Sequence, residues 1–108
     1  MGIAMTRLYL VTEGGRHLWV AALIDEDIWS YVANTGKFHR NEGVRDDFFM
    51  LNEAEYTEIG IGEARRLIGT GVGTVDEEQA RDSVQGWRED REALGTDVVF
   101  ALLAADLS

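Results

Sequence analysis

The residues best suited to chemistry sit between positions 31 and 45. Lys37, His39, Arg40 and Arg45 form the one local gathering of positive charge in a chain with twice as many acids as bases. Tyr31 and Asn41 lie close by in sequence. An imidazole titrates near neutral pH, so His39 is a candidate general base. Arg40 is the matching candidate to hold a phosphate or carboxylate, with Lys37 and Tyr31 completing a small patch. A metal-independent nuclease, a transferase or a ligand-binding domain could be built this way. The same spacing also describes a plain edge strand, with Phe38 facing away from Lys37 and His39. Ion pairs of Arg40 or Arg45 with Asp46 or Asp47 would account for the charges equally well.

Other chemistries find less support. His17 and His39 are the only histidines, and no ligand pair has the spacing of a helical metal motif. The acidic triplets at 25–27 and 76–78 lack the central glycine and terminal Glu of a calcium loop. No metal and no cofactor is therefore expected. Gly60 and Gly62 would open a dinucleotide fingerprint, but Arg65 stands where the third Gly or Ala belongs. Glu63 would put negative charge where pyrophosphate should sit. The run 69–73 has no following Lys-Ser/Thr and is no phosphate loop. Neither Ser30 nor Ser83 sits in a nucleophile elbow, and the absence of cysteine removes thiolate chemistry.

What dominates the chain is acidity. Twenty acids against ten bases give a net charge of −10. That field opposes nucleic-acid backbones and anionic membranes, and it favours a basic protein partner. In such a partnership charge mainly raises the on-rate and selects the partner. The candidate binding residues are Asp25, Glu26, Asp27, Asp46 and Asp47, with Trp29 as an aromatic anchor. No apolar run approaches the ~20 residues that span a bilayer. The start has no secretory pattern, so the expected compartment is the cytoplasm. Gly2 and Thr6 match a myristoylation pattern that fixes few positions and is read as chance.

Positioning these residues is the work of the flanking elements. With 108 residues, a single domain over 1–108 is expected. Residues 7–12, 16–24, 28–33 and 37–39 read as four strands, and a fifth is expected at 56–59. Glu13-Gly14-Gly15, Asp25-Glu26-Asp27 and Asn34-Thr35-Gly36 are the three turns between them. The uninterrupted apolar run 18–24 marks the second strand as central and covered on both faces. Asn41 is placed to cap a short helix whose Val44, Phe48 and Leu51, with Phe49 beside them, face the sheet. A helix is expected at 62–68, ended by a flexible joint at Gly69, Gly71 and Gly73. A longer one is expected from a Thr74–Glu77 capping box to Leu94, stopped by Gly95. It would carry Glu77–Arg81 and Arg88–Glu92 pairs, with Arg91 at the edge of its apolar stripe. Residues 97–107 favour a third helix in this half, capped by Thr96 or Asp97.

The expected fold is α+β: an N-terminal antiparallel meander of about four strands packed against C-terminal helices. Val84 and Trp87 should cover the sheet face holding some of Leu8, Leu10, Leu18, Trp19, Val20, Ile24, Trp29 and Tyr31. The leading functional expectation is a small acidic interaction protein, of a neutralising or immunity type, that binds a basic partner. The second is a small enzyme or ligand-binding domain at 31–45. The third is a structural homo-oligomer using the apolar segment 97–107.

Overall fold

The computed structural model describes residues 5–107. Gly2, and with it the lipidation pattern, lies outside the described residues; Thr6 is buried at the start of the first strand. The described residues form an α+β fold with an antiparallel six-stranded sheet. Its strands are β1 (Thr6–Glu13), β2 (Arg16–Ile24), β3 (Asp27–Val32), β4 (Lys37–Arg40), β5 (Glu55–Ile59) and β6 (Leu94–Gly95), in spatial order β5-β1-β2-β3-β4-β6. The helices are α1 (Glu42–Asp46), α2 (Ile61–Gly69), α3 (Arg81–Arg88) and α4 (Thr96–Leu107).

Turn chemistry sets the meander. Gly14 and Gly15 both take positive φ in the two-residue loop closed by Glu13 and Arg16, the conformation whose twist suits a tight hairpin. Asp25 takes the left-handed position in the next turn, and its amide donates to Met5 O. Gly36 does the same in the third, where the amides of Thr35 and Gly36 donate to Val32 O.

β2 is interior, and its side chains alternate into two cores. Val20 and Ala22 join Leu8, Trp29, Tyr31 and Phe38 on one face, under Ala64 and Leu67 of α2 and Val99, Phe100 and Leu103 of α4. Ala21 and Leu23 join Val11 and Ile28 on the other, where Val44 of α1 and Phe48 pack. α3 also lies on this second side, with Trp87 against Trp19 and His39. The face expected under Val84 and Trp87 mixed residues of both sides: Trp87 does pack on Trp19, but it does not cover the face of Leu8, Val20, Trp29 and Tyr31. α2 and α4 occupy that face, and Trp87 packs on its reverse.

The helix expected at 74–94 is shorter, because both halves of the capping box are engaged elsewhere. The Thr74 hydroxyl donates to Gly71 O. Glu77 accepts from Asn34 and from Arg88, which replaces the expected Glu77–Arg81 and Arg88–Glu92 pairs. Asp76 instead accepts the amides of Glu78 and Gln79, and α3 starts only at Arg81. It stops at Arg88, so Arg91 lies beyond it. Gly95 is no helix stop but a member of β6, paired with Lys37.

The glycines after α2 form a shaped turn rather than a loose joint. Gly71 and Gly73 both take positive φ, and Gly73 O accepts the amide of Ala33. α4 docks through Val99, Phe100 and Leu103, leaving Val98 and Leu102 exposed.

Candidate functional site

The sheet separates the residues of the expected catalytic patch. Tyr31 packs with Phe38 on the first face, and the Arg40 guanidinium lies 5.2 Å from the Trp29 ring on that same face. Lys37 and His39 alternate to the other side of β4. His39 is 1 % exposed. Its Nδ1 lies 2.9 Å from an Asp90 carboxylate oxygen, and its Nε2 lies 2.7 Å from Thr35 Oγ1. The His39 hydrogen bond holds the Asp90 carboxyl below the usual carboxylate range.

This hydroxyl–imidazole–carboxylate line has the order of a nucleophile relay, and a hollow of about 270 Å³ beside it is bounded by Thr35, Lys37, Arg88 and Asp90. The surroundings argue for a clamp. The amides of Thr35 and Gly36 in the adjoining turn are both committed to Val32 O, and Arg88 is paired with Glu77. A buried imidazole with both nitrogens satisfied ties the β3–β4 turn to the chain after α3, a sound way to keep a polar group inside. Asp90 and Thr35 could not be named as its partners from sequence, because the first is 51 positions away and the second sits in a turn.

The second side of the sheet carries a different feature at its other end. Asn41 caps α1 as expected, its Oδ1 accepting the Val44 amide. The helix then opens into a π-helical turn over Asp47–Leu51, closed by Asn52 N donating to Asp47 O at 2.7 Å. The wider turn breaks the expected spacing. Phe48 faces inward, its ring tilted against Tyr9 and edge-to-face with Tyr56. Phe49, Met50 and Leu51 are 50, 71 and 62 % exposed, so the expectation that Leu51 and Phe49 pin the helix to the sheet is corrected. π-turns inside helices recur at functional sites.

Asp47 holds this turn in shape. Its carboxylate accepts the amides of Glu53 and Ala54 and the Tyr56 hydroxyl at 2.6 Å. The Tyr56 bond, then the Glu53 amide, pull the Asp47 carboxyl down. Burial, and then the Asp47 bond, push the Tyr56 phenol well above its ordinary value.

Beside Leu51 lies a hollow of about 240 Å³ floored by Val11, Trp19, Val44 and Tyr56. Its rim carries Glu13, Asp47 and Glu53, and among the described residues none of these three acids has an ion-pair partner. No family model matches this chain, and neither a curated protein nor a solved structure does.

The remaining binding candidates divide by role. Trp29 is buried against the first core and serves packing. Asp27 faces Arg40 at 3.6 Å and Arg45 at 3.9 Å, while Asp25 and Glu26 form the turn beside it. Arg45 joins that turn to the exposed segment: it donates to Glu26 O and lies 5.5 Å from the Phe49 ring. Asp46 ends α1 next to the exposed ridge of Phe49, Met50 and Leu51. The signal for the ridge was present in sequence as FFML between acids, but a helical period assigned it to the core. Among the described residues no group of three or more His, Asp or Glu could hold a metal. No helix of the described chain is long and apolar enough to cross a membrane.

Proposed function

We propose that this protein is an acidic docking domain that binds a basic protein partner in the cytoplasm, in the manner of a neutralising or immunity protein. One observation carries the reading: three consecutive large apolar side chains, Phe49, Met50 and Leu51, stand in solvent inside a stretch that also holds Glu42, Asp46, Asp47, Glu53 and Glu55. Taking roughly 200 Å² per side chain, the ridge exposes on the order of 350 Å². Patches of about 300–600 Å² on a monomer are often functional. Burying it supplies about 9 kcal/mol gross, which only offsets the roughly 4–15 kcal/mol cost of association. Apolar contact alone therefore gives little net affinity, and the acids around the ridge supply selection and speed. A second copy is a poor occupant, because each chain carries a charge of −10. The same repulsion weighs against an oligomer through 97–107, where Val99, Phe100 and Leu103 already face the core and Val98 and Leu102 are the large apolar residues left exposed.

The test is capture of partners from native lysate on the immobilised full chain, wild type and Met50→Asp. A basic protein retained at ~50 mM salt, lost at ~500 mM salt and lost with the variant supports the reading. Retention that ignores both salt and the variant sinks it.

A further inference from the structure

The hollow beside Leu51 specifies what the partner brings. Its floor is apolar and aromatic: Val11 and Trp19 from the sheet, Val44 from α1 and Tyr56 from β5. Its rim is acidic, and the rim acids differ in availability. Asp47 is turned inward, with its two oxygens already accepting three bonds. Glu13 and Glu53 make no ion pair among the described residues, and they flank the opening with Leu51 at its mouth. Arg16 stands opposite Glu13 at the end of the β1–β2 hairpin but makes no ion pair with it among the described residues, and Arg45 is held by Asp27 and by Glu26 O.

Resting on the docking reading above, we infer that the hollow receives one large apolar side chain from a Lys/Arg-rich segment of the partner. The neighbouring cations of that segment reach Glu13 and Glu53. About 240 Å³ accommodates a single Leu, Phe or Trp side chain and little more. An acidic segment carrying the same apolar residue is rejected by the rim, and a purely basic segment leaves the aromatic floor wet. Both features are required, which is how a charged rim around an apolar socket discriminates among partners.

The probe is a twelve-residue Lys-rich peptide with one central Trp, titrated into the isotope-labelled full chain at ~50 mM salt and followed by amide and indole resonances. The expected result is saturable shifts at the Trp19 indole and at Val44, Leu51, Glu53 and Tyr56. Affinity should fall roughly tenfold with Leu51→Asp, and by a similar factor with Glu13→Lys/Glu53→Lys. Leu51, Glu13 and Glu53 are exposed, so these variants keep the fold, and their unchanged melting confirms it. A peptide with Ala for Trp that gives the same shift map overturns the socket while leaving an acidic docking surface in place. A Glu-rich peptide with the same Trp that binds equally well overturns the charge requirement. No binding of any peptide overturns the inference, and wild-type dimerisation abolished by Leu51→Asp replaces the partner with a second copy.

Discussion

Gly73→Ala is the sharpest test of how the chain after α2 is seated. Gly73 has φ near +95°, and a Cβ added there would lie 2.3 Å from Tyr31 O and 3.3 Å from Tyr31 C. Two costs combine. A non-glycine residue in that region of backbone space costs of order 1–3 kcal/mol. The contact is with backbone of β3 at Tyr31, which is held in register by Phe38 of β4, so the 70–75 turn must retreat by about 1 Å, straining the Ala33–Gly73 hydrogen bond of 3.0 Å. Losing that bond adds about 1 kcal/mol, and forced packing shifts add about 1–3 kcal/mol. A total of about 3–7 kcal/mol is expected. With about 2.1 cal/mol/K of unfolding entropy per residue, a chain of 108 residues loses roughly 4 °C of Tm per kcal/mol, hence about 12–28 °C. Gly14→Ala is the matched control: φ is +58° with nothing within 4 Å of the added Cβ, so only the conformational cost of about 1 kcal/mol applies. Gly62→Ala, in open space on α2, should raise Tm slightly because alanine favours helix. Thermal and urea denaturation by circular dichroism measure all three. If Gly73→Ala melts within about 2 °C of Gly14→Ala, the close approach of this turn to β3 is wrong.

Four further outcomes follow from the site. His39→Ala should destabilise by about 2–4 kcal/mol in urea melts, since it opens a cavity and leaves Thr35 and Asp90 without their buried partner. Wild-type stability should fall as pH drops below about 3.9. The folded Asp90 carboxyl is depressed by its His39 bond, so the unfolded chain binds more protons across that window and the stabilisation present above it is lost as pH falls through the folded value. Asp90→Asn should flatten that acid limb, and an unchanged limb would count against the clamp. Tyr56→Phe should return the Asp47 carboxyl towards its ordinary range and speed hydrogen exchange at the Glu53 and Ala54 amides, leaving amides of β2 and β3 unaffected. Met50→Asp should leave the unfolding free energy from urea melts within about 0.5 kcal/mol of wild type, because a side chain this exposed contributes little to folding. A larger loss would mean that the ridge is packed in solution.

Local chemistry alone determined the front half of this protein. Two-residue glycine and Asp turns admit few backbone paths, and alternation across β1 to β4 follows from a period of two, so the four strands and the doubly covered β2 were legible, while the register break between Val11 and Thr12 was not. The Asn41 cap was legible for the same reason: donor and acceptor lie three residues apart. Tertiary structure decided the rest, wherever a side chain had two competing uses. Thr74 and Glu77 could cap a helix, yet Gly71 O, Asn34 and Arg88 claimed them, and α3 shrank. Phe49 to Leu51 satisfied a helical period, yet Asp47 gathered the Glu53 and Ala54 amides and the Tyr56 hydroxyl, and the π-turn put the ridge in water. His39 read as a reactive base until Asp90 and Thr35, placed by the fold, took both of its nitrogens. Apolar spacing registers what a segment prefers by itself; a hydrogen bond across tens of residues outweighs that preference and is invisible until the chain closes on itself.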